Sequence, residues 1–108
     1  MTGAALLRNF VCFDKRHFDG RLQSARVAVS FAKLSTSGLW TWWDDGTFTI
    51  QVNEKLRMFP WACNLVLLHE MIHMFCHLRG WHDHLGHGRS FRAEKRRLKI
   101  LGAFDTYI

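Results

Sequence analysis

Two histidines and a glutamate, His69, Glu70 and His73, interrupt the otherwise apolar run LLHEMIHMF. On a helix of 3.6 residues per turn, positions 69 and 73 are one turn apart and point the same way. Zinc takes neutral imidazole nitrogens at about 2.0–2.1 Å, so this spacing brings two of them onto one ion. The carboxylate after the first histidine projects beside that ion. A metal of this kind lowers the pKa of the water it holds towards about 7, and Glu70 is placed to take the proton and pass it to a leaving amine. HExxH on a helix has long served as the sign of a zinc metalloprotease. It also arises by chance, as a core helix with two satisfied histidines. The surrounding residues Leu65, Val66, Leu67, Leu68, Met71, Ile72, Met74 and Phe75 argue against chance. Placing two imidazoles and a carboxyl among them costs several kcal/mol unless something satisfies them.

Six of the seven histidines lie between residues 69 and 87, which leaves the third ligand to be found. His77 lies about 12 Å along the helix from His69, and three ligands in a line cannot converge on one ion. It is better suited to the helix end or the cleft wall. A metzincin continuation would need glycine at Cys76 and histidine at Arg79. The third ligand is therefore expected after Gly80. His87 is favoured, because Gly86 and Gly88 on either side let backbone approach an ion and a final helix begins just beyond. Glu94, His82 and His84 stand as alternatives.

These residues must be held by a scaffold. Thr2 is a candidate cap for a helix to about His17, followed by a turn at Phe18-Asp19-Gly20. ARVAVSFAK, residues 25–33, alternates like a strand. GLWTWW and TFTIQV flank Asp44-Asp45-Gly46, which predicts a hairpin with Phe48, Ile50 and Val52 on one face. Pro60 suits the first turn of a nearly all-apolar helix over residues 61–79, which Gly80 ends. A last helix is predicted over residues 90–101. The order predicts an α+β fold with a small, mostly antiparallel sheet, in one domain spanning residues 1–108.

Composition bounds the function. A chain of 108 residues with 48% hydrophobic residues and one proline is folded and long enough for one core. It contains no apolar run long enough to span a membrane, and its start lacks the basic leader of a secretory signal. Three cysteines, never spaced as CxxC, suit a reducing intracellular compartment and are read as small buried hydrophobes. The net charge of +6 favours anionic partners. On the last helix Arg92, Lys95, Arg96 and Lys99 fall on one side, opposite Phe91, Ala93, Leu98 and Leu101. That pattern gives either a solvated face or contacts to nucleic-acid phosphates. Trp43, beside the Asp-Asp-Gly turn, is the candidate for stacking on an unpaired base.

LLHEMIH at 67–73, GHGRSF at 86–91 and FDKRHFDGRL at 13–22 occur in an order that resembles the SprT-like family of zinc metallopeptidases. The resemblance implies a small gluzincin-like fold with one zinc ion on His69, His73 and His87 and a catalytic Glu70. It also implies an intracellular enzyme that cuts proteins bound or crosslinked to DNA. The cysteine-rich ribbon that many relatives carry has no counterpart in the three scattered cysteines. A peptide substrate is expected to add as a strand to a sheet edge, with His82, His84 and Tyr107 as candidates to steady the oxyanion. The rival reading keeps zinc as a structural ion in a nucleic-acid-binding module without protease activity. Glu70 separates the two, because closed structural sites use four protein ligands and need no acid beside an open position.

Overall fold

A computed structural model describes residues 1–22, 26–80 and 87–104. The first helix, α1 (Gly3–His17), begins where the Thr2 side chain accepts a hydrogen bond from the Ala5 N–H, 3.1 Å away. Leu6, Phe10 and Phe13 are buried at helical spacing. Fully buried Asp14 organises the exit from α1. Its backbone carbonyl accepts from the N–H groups of Phe18 and Gly20, and its carboxylate accepts from the Leu22 N–H at 2.9 Å. Asp19 and Gly20 take positive φ in this turn, which drives Phe18 and Leu22 into the core.

The sheet comprises β1 (Arg26–Ala32), β2 (Gly38–Trp42) and β3 (Thr47–Asn53), in the order β1-β3-β2. The hairpin forms as expected: β2 and β3 are antiparallel, and Phe48, Ile50 and Val52 are buried on one face. Gly46, with φ +84°, supplies the left-handed residue of the turn. The expectation of a mostly antiparallel sheet needs correction. β1 pairs parallel with β3 over seven residues, which makes the sheet mixed. The cause is a staple at the end of β3. The Asn53 side-chain amide donates to the carbonyls of Leu34 (3.0 Å) and Thr36 (2.9 Å), and its backbone N–H donates to Ser37 O. This holds residues 33–37 across the end of β3, so β2 descends on its far side instead of folding back on β1.

After a single 3-10 turn at Glu54–Leu56, α2 (Pro60–Leu78) starts with proline in its first turn and runs through the core beside β2 and β3. The last helix, α3 (Arg89–Ile100), buries Phe91, Glu94 and Leu98. Ala93 and Leu101, expected on the packing face, are exposed. Buried Glu94 takes that place because Arg97 pairs with it through Nε at 2.9 Å and also donates to the His17 carbonyl, tying α3 to the end of α1. Among the cysteines, Cys63 and Cys76 are buried, whereas Cys12 lies on the outer face of α1 and is exposed. No helix among the described residues is long and apolar enough to cross a membrane.

Candidate metal centre

His69 and His73 project from the middle of α2, and His87 arrives just ahead of α3. The Nε2 atom of His87 lies 3.0 Å from that of His73 and 3.2 Å from that of His69. The candidate ligand atoms of the three residues all lie within 4.8 Å of one another. Two nitrogens held tetrahedrally at 2.0–2.1 Å from one centre would be about 3.3 Å apart, close to these spacings. The donor chemistry fits a cation as well. An imidazole nitrogen carries either one proton or one lone pair, so His87 Nε2 cannot make two good hydrogen bonds at once. A cation lets all three nitrogens present lone pairs to a common point.

Protonation agrees with that fit. Burial, aided by the neighbouring His69 and His87, pushes His73 down to about 4. Burial, with His87 and Lys95 nearby, also lowers His69. Both rings are therefore held neutral at neutral pH, the form that binds metal.

The rings are also held in place by packing. Phe91, one turn after His87, has its centroid 5.0 Å from His69, 4.5 Å from His73 and 4.9 Å from His87. Trp40 of β2 stacks on His73, with the ring planes 12° apart. The register pairs Trp40 with Ile50 and so sets it on the Phe48 face of the hairpin; sequence alone did not reveal its contact with His73. His77 is not part of the cluster; its ring packs against Trp40, Trp42 and Phe48.

Glu70 is 6% exposed, and burial raises its carboxyl from the ordinary 4.5 to about 7. It shares a cleft of about 710 Å³ with the three histidines. The cleft floor is α2, one wall is β2 with the residues just before it, and the other wall includes Lys95 and Phe104. A second residue missed in the sequence is Gly38. A Cβ at this position would lie 2.4 Å from Val66 Cγ1 and 3.2 Å from Glu70 Oε1, so only glycine lets β2 come this close to Glu70.

The remaining candidates are dispersed. The carboxylate of Glu94 is turned to Arg97 and the end of α1, which removes it as an alternative ligand. Arg92, Arg96 and Lys99 are exposed on α3, and Arg89 joins Arg92 and Arg96 around an outward hollow. Lys95 departs from this group and lines the cleft. Trp43 is half exposed and donates its indole N–H to Thr49 Oγ1 at 2.8 Å. His82, His84 and Tyr107 lie outside the described residues. No curated protein matches the chain. Residues 6–105, nearly the whole sequence, match the model of the SprT-like family, and the chain belongs to that family.

Proposed function

We propose that the protein is an intracellular zinc-dependent endopeptidase acting on DNA-associated or DNA-crosslinked proteins, with His69, His73 and His87 holding one zinc ion and Glu70 as general base. The observation that carries this reading is Glu70: a buried carboxyl beside three convergent imidazoles, at the floor of a cleft. Zinc, when bound, supplies a Lewis acid for the scissile carbonyl and makes water more acidic. With its carboxyl raised to about 7, Glu70 is suited to accept a proton from the attacking water and return it to the departing amine.

Substrate positioning follows from the sheet. Among the described residues β2 is an edge strand, and the hydrogen bonds of Ser37 and Trp43 to β3 set the phase of the ladder. By the alternation of an antiparallel pair, Leu39 and Thr41 also face β3, while the backbone groups of Gly38, Trp40 and Trp42 face outward. The Gly38 carbonyl is engaged by the Thr36 hydroxyl at 2.9 Å. The Gly38 N–H and both backbone groups of Trp40 and Trp42 are thus suited to hold an extended peptide along the cleft. For DNA, Arg92, Arg96 and Lys99 offer phosphate contacts without sequence preference, and the half-exposed Trp43 ring offers a stacking face.

The test is cleavage of a DNA-binding protein by zinc-loaded enzyme, with and without single-stranded DNA. Wild type should cut and Glu70→Gln should keep zinc but lose cleavage. Equal cleavage by the two proteins would reject the enzymatic reading. Zinc retention with DNA binding and no cleavage would restore the alternative, a zinc-stabilised nucleic-acid-binding module.

A further inference from the structure

Four basic residues of α3 read from sequence as one face, but the fold divides them. Around a helix, Lys95 lies only about 40° from Phe91, whereas Arg96 lies about 140° from it. Because Phe91 packs against the three histidine rings, Lys95 is carried to the rim of the same cleft. Arg92 and Arg96 turn outward.

Within the cleft, Lys95 is the one lysine or arginine and Glu70 the one acid among the described lining residues. No described carboxylate pairs with Lys95; the ion pair of α3 joins Glu94 to Arg97. The cleft that Lys95 enters is lined in large part by apolar side chains, among them Leu39, Leu65, Val66 and Phe104. Apolar walls exclude water and strengthen the field of a charge at a cleft rim. An ammonium so placed, without a carboxylate partner among the described residues, attracts a carboxylate and repels a cation entering beside it.

We propose that Lys95 is a specificity-determining residue that selects a carboxylate of the peptide near the bond to be cut, supplied by a glutamate or aspartate side chain or by a free C-terminus. The inference rests on the peptidase reading, whose substrate class it narrows. Even in a basic DNA-binding protein, cleavage would then concentrate at segments carrying an acidic residue. A peptide occupant is favoured over a nucleic-acid phosphate because Lys95 shares its cleft with Glu70 and the outward edge of β2, apart from the outward arginines.

The experiment uses alanine-based peptides blocked at both ends, with Glu, Gln or Lys at the centre, and the Gln peptide with a free C-terminus. Zinc-loaded wild type should cut the Glu or free-acid peptide about two- to fivefold faster in kcat/KM than the blocked Gln peptide, as expected for one partly exposed charge pair. The two acid arms show which carboxylate is read. Lys95→Gln should erase the preference, Lys95→Arg should retain it, and Lys95→Glu should invert it towards the Lys peptide. Raising the salt to 1 M should flatten it, a response that a merely structural role would not give. Identical preferences in wild type and Lys95→Gln would overturn the proposal. So would an unchanged peptide preference accompanied by weaker single-stranded DNA binding, which would assign Lys95 to phosphate.

If no peptide is cut, the peptidase reading fails separately, and binding of the same peptides to zinc-loaded Glu70→Gln decides the matter. A carboxylate preference that Lys95→Gln abolishes would uphold the role of Lys95, and equal binding would end it.

Discussion

Glu70→Gln should make the metal-free protein more stable at alkaline pH, although it removes the proposed general base. The Glu70 carboxyl is raised from 4.5 to about 7 by burial. Between these values the folded, metal-free protein keeps a proton that the unfolded chain has released, so stability falls as pH rises through that window. At about 1.4 kcal/mol per pH unit, the loss accumulated by pH 8 is about 3 kcal/mol, an upper value because the cleft admits water. His69 and His73 act in the opposite sense. Their lowered values make stability rise with pH, for His73 from about 4 up to the ordinary 6.5. Both effects are complete by pH 8, so the difference between wild type and variant isolates Glu70. Thermal unfolding of chelator-treated proteins at pH 4 and pH 8 measures it. Glutamine should be nearly neutral at pH 4 and should raise the melting temperature at pH 8 by on the order of 10 °C. Zinc should narrow that gap by offsetting the carboxylate charge. A variant that is less stable at pH 8, or a difference that does not change with pH, would refute the claim that burial alone sets the basicity of Glu70.

Three further outcomes are expected. His87→Ala should cut the zinc content from about one ion per chain to well below that, as read by elemental analysis of protein prepared without chelators. Glu94→Gln should leave zinc content unchanged but cost about 1–3 kcal/mol in denaturant unfolding, because it breaks the pair with Arg97 that joins α3 to α1. Gly38→Ala should cost about 1–3 kcal/mol through the clash with Val66, and should shift the pH dependence of any cleavage because the new methyl group also presses on Glu70.

Features that depend on neighbours in sequence were readable beforehand. The Thr2 cap, the Asp-Asp-Gly turn, Pro60 opening α2 and the shared face of His69 and His73 are decided within a few residues. His87 was also reachable, because elimination along α2 and the short path back from Gly80 left few candidates. The parallel pairing of β1 was hidden. It depends on Asn53 holding residues that lie 17 and 19 positions earlier, and no local pattern signals that bond. Glu94 stood as an alternative ligand because its real partner was hidden in the same way: Arg97, which holds its carboxylate, also reaches a carbonyl 80 residues away. Lys95 counted as one more positive charge until the contacts of Phe91 set the rotation of α3.

Phe91 links the core to the metal centre. Its ring meets all three histidines while its backbone belongs to the helix that seals one side of the core, so docking of α3 and convergence of the ligands are one event. A cation at the three nitrogens would bind the docked arrangement and not the open one. Its binding energy would therefore appear as folding energy, growing with the logarithm of metal concentration. The helix that carries His69 and His73 is apolar enough to fold into the core without a metal, but His87 comes from outside that helix and depends on α3 being in place. The weakest link in the metal-free protein is accordingly the attachment of α3, held by Phe91, Leu98 and the hydrogen bond from Arg97 to the His17 carbonyl. Loss of metal should loosen this end of the molecule first and leave the α1–sheet–α2 packing standing.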